Sequence, residues 1–251
     1  MTKTVLITGG ASGIGAETAR RAAARGYKVA INYRSRSAQA DAIVADIKAK
    51  GGQAVAVPGN MASEADIVKM FADAERALGP ITHLVNSAGI SVRTRVDGYD
   101  QAVLANLFAV NVIGLMLCCR EAARRLSTKN GGKGGAIVNV SSMASTLGGR
   151  SGSSAYAATK GAVDSFTKGF ATEVAAEGIR VNSIRPGMVM SEMTERRLQD
   201  PAFRASIEAS IPMRRVGEGH EIAEAILWLL SDESSFITGA MLDAAGGGYI
   251  I

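Results

Sequence analysis

The chain has 251 residues, 47% of them hydrophobic and 20% charged, which suits a large packed core and argues against extended disorder. Its formal charge is +5, but the lysines and arginines are scattered rather than gathered in a stripe or tail, so no nucleic-acid partner is expected. Two adjacent cysteines and two histidines give no basis for a disulfide framework or a metal site.

The chain enters a strand almost at once. It shows no signal-peptide pattern and no apolar run of membrane-spanning length, so a cytoplasmic protein with no membrane partner is expected. T-V-L-I-T at 4–8 is a short continuous apolar run followed by glycines, as for a strand buried on both faces. A helix is predicted over 13–25, a strand at 28–32 (K-V-A-I-N) and a helix over 38–50. A-V-A-V-P, I-T-H-L-V-N, A-I-V-N-V-S and I-R-V-N-S-I read as further strands. Helices over 63–78, 99–126 and 153–177 lie between them, and a helix over 218–231 precedes a final strand near 240–243. This alternation predicts an α/β fold, a doubly wound parallel sheet of about seven strands flanked by helices in one domain over 1–251. Only 188–212 breaks the pattern, and such excursions often form lids. Met188, Met190 and Met193 open it, either as an adaptable apolar wall or as ordinary core.

The first strand runs into Thr8-Gly9-Gly10-Ala11-Ser12-Gly13-Ile14-Gly15, with a helix behind it. Glycines allow a tight turn and close approach to a pyrophosphate, and the helix N-terminus offers unpaired N–H groups with the positive end of a dipole. The spacing is G-x-x-x-G-x-G rather than G-x-G-x-x-G. After the second strand stands Ile31-Asn32-Tyr33-Arg34-Ser35-Arg36, with no acid to hold a ribose 2′-hydroxyl. Arg34 and Arg36 would attract a 2′-phosphate, which favours NADP over NAD; NAD stays open, as does a loop whose arginines only meet water.

Tyr156 and Lys160 are four apart and share one face of a predicted helix. A phenol titrates near pH 10, too high for an efficient proton shuttle at neutrality. An ammonium about 4 Å away, at an effective dielectric near 20, contributes about 4 kcal/mol, or roughly three pKa units. A basic cluster, Arg120, Arg124, Arg125 and Lys129, reads either as a solvated helix face or as a docking patch for an acidic carrier.

Together, T-G-G-A-S-G-I-G (8–15), N-S-A-G (86–89), Asn111, N-V-S-S (139–142), Y-A-A-T-K (156–160), R-P-G (185–187) and I-T-G-A-M-L-D-A-A-G-G (237–247) resemble the short-chain dehydrogenase/reductase family over nearly the whole chain. Within it, the likeness is to the glucose-dehydrogenase-like and ketoacyl-carrier-protein-reductase-like branches. The resemblance implies an NADP(H)-dependent oxidoreductase exchanging a hydride between nicotinamide and a carbonyl or secondary alcohol substrate. A ketoacyl-carrier-protein reductase is the alternative, and a non-catalytic NADP sensor is a more distant one. Tyr156 would be the general acid/base and Lys160 would lower its pKa and bind the nicotinamide ribose. Ser142, with Ser141 as runner-up, would hydrogen-bond the substrate oxygen. Asn111 would interrupt its helix to hold a proton-relaying water. Cofactor contacts are implied for Gly9, Ser12, Gly13, Ile14, Gly15, Tyr33, Arg34, Ser35, Asn60 and Met61. They are implied as well for Asn86, Ala88, Gly89, Tyr156, Lys160, Pro186, Gly187, Val189 and Ser191. Three positions depart from the family pattern: Ser87 for Asn, Asn60 for Asp and Ser191 for Thr. A homotetramer is also implied.

Overall fold

In the computed structural model, residues 3–248 are described. Seven strands form one sheet: β1 (Thr4–Thr8), β2 (Lys28–Tyr33), β3 (Ala54–Pro58), β4 (His83–Asn86), β5 (Gly135–Val140), β6 (Ile179–Pro186) and β7 (Met241–Ala244). Every pairing is parallel, in the order β3-β2-β1-β4-β5-β6-β7. The expected fold class is therefore the observed one.

Alternation along each strand divides the core in two. Val5 and Ile7 face one side, packing with α1 (Gly13–Ala24), α2 (Ser37–Ala49) and α10 (Gly219–Leu230). Leu6 and Leu84 face the other, with α3 (Glu64–Leu78), α5 (Gly114–Leu126) and α7 (Ser154–Val174). With both faces covered, the strands need no polar alternation, which is why their sequences run continuously apolar.

The stretch expected as one helix over 99–126 is α4 (Gln101–Phe108), a π turn (Ala109–Ile113) and α5. By length and composition the continuous helical stretch 101–126 could cross a membrane, contrary to the expectation that no such run exists. Its buried side chains instead pack in the core under the sheet, and its C-terminal end carries Arg120, Glu121, Arg124 and Arg125. Cys118 and Cys119 are fully buried free thiols on this helix, and burial pushes the Cys119 thiol up to about 12 and Cys118 well up.

The excursion at 188–212 is helical, as α8 (Glu192–Leu198) and α9 (Pro201–Ser210). A small separate cluster holds it: Leu198, Ile207, Ile211 and Val216, with Met188, Met190 and Phe203 against them. Of the three methionines, Met188 and Met190 thus pack as core, and the Met193 side chain lies outside what is described.

His83 on β4 is buried, edge-on to the Tyr27 ring at 5.3 Å and 2.7 Å from Thr82 Oγ1. Burial, with Lys3 and Arg180 nearby, lowers its pKa to about 4. The folded chain therefore keeps the imidazole neutral while the unfolded chain protonates it below about 6.5, so stability falls as pH drops through that window. Between pH 7 and pH 5 the urea unfolding free energy should fall by about 2 kcal/mol more in the wild type than in His83→Phe. Equal losses in both chains would show that His83 is not the titrating group.

Candidate active site

The sheet order reverses between β1 and β4, which opens a crevice at the carboxyl ends of the strands. The cleft there has a volume of about 690 Å3. Its floor at one end is the turn after β1. Gly9 takes φ +63°, and a Cβ on it would lie 2.8 Å from the Ala88 main chain, so the β1 and β4 turns touch backbone to backbone. Gly15 is needed for the same reason: a Cβ there would meet Gly9 O at 2.5 Å. No side chain caps α1 at Ser12. The first N–H groups of α1 are therefore left to face the cleft without an internal partner.

Two buried side chains fix this turn. Asn32 Oδ1 accepts from Gly9 N at 3.2 Å, while its Nδ2 donates to Gly59 O at 3.1 Å, tying β1, β2 and the end of β3 together. Thr8 Oγ1 accepts from Ser87 N and Ala88 N, each at 3.1 Å. Neither side chain was singled out from sequence. The available signal is a polar residue at the carboxyl end of an otherwise apolar strand.

Beyond the turn, Tyr33, Arg34, Ser35 and Arg36 line the cleft where β2 ends. Arg34 is exposed and forms no ion pair among the described residues. Asn60 and Met61 form the wall after β3. The Asn60 side-chain oxygen accepts from Ala62 N at 3.1 Å, and Asn60 N donates to Asp66 Oδ2 at 2.9 Å, so the turn is internally braced.

At the other end lie Ser142, Tyr156, Lys160, Pro186 and Gly187, while Val189 and Ser191 lead back to the turn, where a Cβ on Gly13 would stand 3.7 Å from Ser191 Cβ. Lys160 is buried, and its Nζ donates to Val140 O at 2.8 Å. Burial lowers its pKa to about 8, against the pull of Asp164 one turn along α7. Asp164 in turn accepts from Arg185 Nε at 2.8 Å and Ser183 Oγ at 3.1 Å. The Tyr156 pKa is raised by burial, opposed only by a hydrogen bond with Ser142. The Lys160 ammonium stands 5.7 Å from the Tyr156 ring centre. Burial dominates here, so the lowering of the phenol expected from the lysine does not show in this structure.

The two candidate serines differ in setting. Ser141 is buried and donates to Lys160 O at 3.2 Å, whereas Ser142 faces the cleft, meets Tyr156 and accepts from Ala144 N at 3.1 Å.

Asn111 sits inside the π turn, one step behind the cleft lining. Its amide pairs with both main-chain groups of Ile90, Oδ1 accepting from N at 2.8 Å and Nδ2 donating to O at 2.9 Å, and also donates to Thr159 Oγ1 at 3.2 Å. The side chain therefore braces the Ala88-Gly89-Ile90 wall rather than reaching the cleft. Gly15 and Asn86 likewise stay out of the lining: Gly15 allows the turn to close, and Asn86 Nδ2 donates to Asn139 Oδ1 at 2.9 Å in the core. The remaining sequence-named cofactor positions all border the one cleft.

The basic cluster on α5 is neutralised from within. Glu121, 3% exposed, accepts from Arg120, Arg124 and Arg125, while Glu64, Glu75 and Glu177 pair with Arg120, Arg125 and Lys129. That corrects the docking-patch reading, since these cations already have partners.

A cradle built of close-packed glycines and uncapped helix N–H groups, with arginines at the end of β2, fits a dinucleotide. A crevice of this kind, with a tyrosine and a lysine at its far end, marks a dinucleotide-dependent oxidoreductase class. Comparison with known proteins narrows this. A family model described as Enoyl-(Acyl carrier protein) reductase matches residues 9–249. The uncharacterized oxidoreductase YgfF of Escherichia coli K12 is 43% identical over 243 residues, covering 96% of this chain and 98% of that protein. The 3-oxoacyl-[acyl-carrier-protein] reductase FabG of Staphylococcus aureus is 34% identical, covering 100% and 99%. Among solved structures, a short chain dehydrogenase/reductase family protein superposes with TM-score 0.87 at 36% identity, covering 99% of this chain and 98% of that one. A dehydrogenase/reductase from Sinorhizobium meliloti 1021 gives 0.90 at 32% identity, covering 100% and 96%. The chain belongs to the short-chain dehydrogenase/reductase family and is an oxidoreductase of that family.

Gly9→Ala should lower Tm by several degrees and weaken dinucleotide binding, because the added methyl meets main chain, not a movable side chain, at a positive φ. Unchanged Tm and affinity in calorimetry would show that the two turns can part without cost.

Proposed function

We propose that this enzyme is an NADP(H)-dependent reductase/dehydrogenase of carbonyl compounds and secondary alcohols, with Tyr156 as its proton-transfer group. The observation that carries the reading is the convergence of Ser142, Tyr156 and Lys160 at one end of a cleft whose other end suits a phosphorylated dinucleotide. NAD would fit the same cradle but leave Arg34 without a 2′-phosphate.

When bound, the nicotinamide supplies or accepts the hydride. The residues do the rest. Ser142 and Tyr156 hold the substrate oxygen between two hydroxyls. In reduction, Tyr156 gives its proton to that oxygen; in oxidation it takes one back. Its raised pKa keeps the phenol protonated at neutral pH, the form that donates in reduction. Lys160, charged below about pH 8, sits where it can meet the cofactor ribose and replace the phenol's proton. A π turn leaves main-chain carbonyls out of helical register, which gives the segment around Asn111 an acceptor for a relaying water beside Lys160. The Asn111 side chain itself braces Ile90.

Residues 188–212 serve as a lid over one domain spanning the chain. Val189 anchors the start of the segment in the main core, while Leu198, Phe203, Ile207 and Ile211 pack in a small cluster of their own, so the part beyond Val189 can move as a unit. A homotetramer is supported by the exposed apolar residues Val103, Phe108 and Ile113 along the α4–α5 face. The unpaired buried cysteines agree with a cytoplasmic setting.

Carrier-bound 3-oxoacyl reduction is the second reading, favoured by the names of several relatives. The self-paired α5 cluster does not support it, because an acidic carrier would have to displace Glu64, Glu75, Glu121 and Glu177.

Tyr156→Phe should cut turnover by about 10²- to 10⁴-fold while leaving NADPH affinity within a small factor. Near-normal turnover would refute the assignment. Arg34→Ala should weaken NADPH by about tenfold or more and NADH far less, given two to three kcal/mol for a charge-assisted contact. Equal losses in a fluorescence titration would mean that no 2′-phosphate is read there. kcat/KM for NADPH should fall as pH rises through about 8, as the free enzyme's Lys160 loses its proton. A profile flat from pH 7 to 9.5 would remove Lys160 from the proton path.

A further inference from the structure

Three exposed arginines, on segments that adjoin the cleft lining rather than in it, have no place in the chemistry above. Arg93 follows the cleft-lining Ser91 by two residues, Arg197 on α8 follows the cleft-lining Thr194 by three, and Arg150 lies six residues before Tyr156. The segments carrying Arg93 and Arg150 are stitched together: Thr94 N donates to Gly152 O at 2.9 Å, and a Cβ on Gly152 would stand 3.3 Å from Arg93 Cγ. The Arg197 guanidinium lies over the Phe203 ring, 4.2 Å from its centre, which fixes its plane. Burial, and after it like charge from Arg93 and Arg150, lowers the Arg197 pKa, which places the three within electrostatic reach of one another.

Among the described residues, none of the three meets a carboxylate, whereas nearby Arg95 pairs with Asp97 and the α5 arginines share Glu121. Like charges held together without a counter-ion destabilise the empty site, and an incoming anion relieves that repulsion. Arginine is also the side chain suited to a carboxylate or phosphate, which its planar fork meets with two hydrogen bonds.

We infer that Arg93, Arg150 and Arg197 form a subsite for a negatively charged group on the substrate, so that this enzyme acts on oxo-carboxylates or phosphorylated ketones in preference to neutral carbonyl compounds. This rests on the reading of the cleft as a reductase site. The substrate's carbonyl lies at Ser142 and Tyr156 and its anionic end at the rim, so Arg197 couples the lid helix to the bound ligand. Hydride from NADPH adds to the carbonyl carbon and the Tyr156 proton to its oxygen, giving the hydroxy acid or phosphorylated alcohol and NADP+.

The test compares a series of four- to eight-carbon oxo-carboxylates with their methyl esters, and dihydroxyacetone phosphate with dihydroxyacetone, using NADPH and wild-type enzyme. At low salt the charged member of at least one pair should show a kcat/KM at least tenfold higher, shrinking severalfold in 0.5 M salt; which pair does so tells carboxylate from phosphate. In Arg93→Ala, Arg150→Ala and Arg197→Ala the charged-to-neutral ratio should fall toward one through KM, with partial recovery in Arg197→Lys. Charged and neutral substrates used equally well, or substitutions that lower both alike, would overturn the inference. Calorimetry of the NADP+-loaded chain separates the two claims. Tighter binding of the charged member with no turnover of any compound would sink the reductase reading and leave the subsite standing; equal binding would sink the subsite.

Discussion

A buried ammonium is the constraint around which the catalytic end is arranged. An isolated cation inside a fold is costly, so it must be paired or hydrogen-bonded wherever it is placed. Lys160 meets that demand through Val140 O at the end of β5 and through Asp164 one turn further along α7. Asp164 is itself committed to Ser183 and Arg185 on β6. The lysine thus fixes the height of α7 against two strands, and Tyr156, one turn before it, is set at the cleft by the same register. Ser141 adds a tie from β5 to the Lys160 carbonyl, leaving Ser142 as the hydroxyl that faces outward.

Much of this was legible in the residues. The strands were evident because burial on both faces makes them continuously apolar, and all seven fall within about two residues of the expected bounds. The glycine turn and the tyrosine–lysine pair were readable because each needs specific residue types at fixed spacing. What stayed hidden depends on long-range partners. Asn32 and Thr8 hold the turn through contacts with segments 27 and about 80 residues away. The break in the helix at 109–113 was implied by the family resemblance at Asn111 and not by local pattern, because the Asn111 side chain finds its partners on distant Ile90 and Thr159. The direction of the Tyr156 shift was also beyond reach: helical spacing places the lysine nearby but does not say how deeply the phenol is buried.

Charge shows the same lesson. In sequence, Arg120, Arg124 and Arg125 look like a patch awaiting an acidic partner, while Arg93, Arg150 and Arg197 are dispersed over more than a hundred positions. Folding reverses the impression. The clustered arginines surround one buried glutamate and are electrically spent, and the dispersed ones come within electrostatic reach of one another beside the cleft. Net charge and local density in the sequence carry little information about where a protein is electrically unsatisfied; the pairing decides it.

The adjacent thiols on α5 carry a practical consequence. With Cys119 protonated up to about pH 12 and both sulfurs sealed beneath the sheet, the native chain offers electrophiles almost no thiolate to attack. Their alkylation rate then measures how often α5 swings away from the core, so ordinary thiol reagents become a clock for local opening, with no label to be introduced.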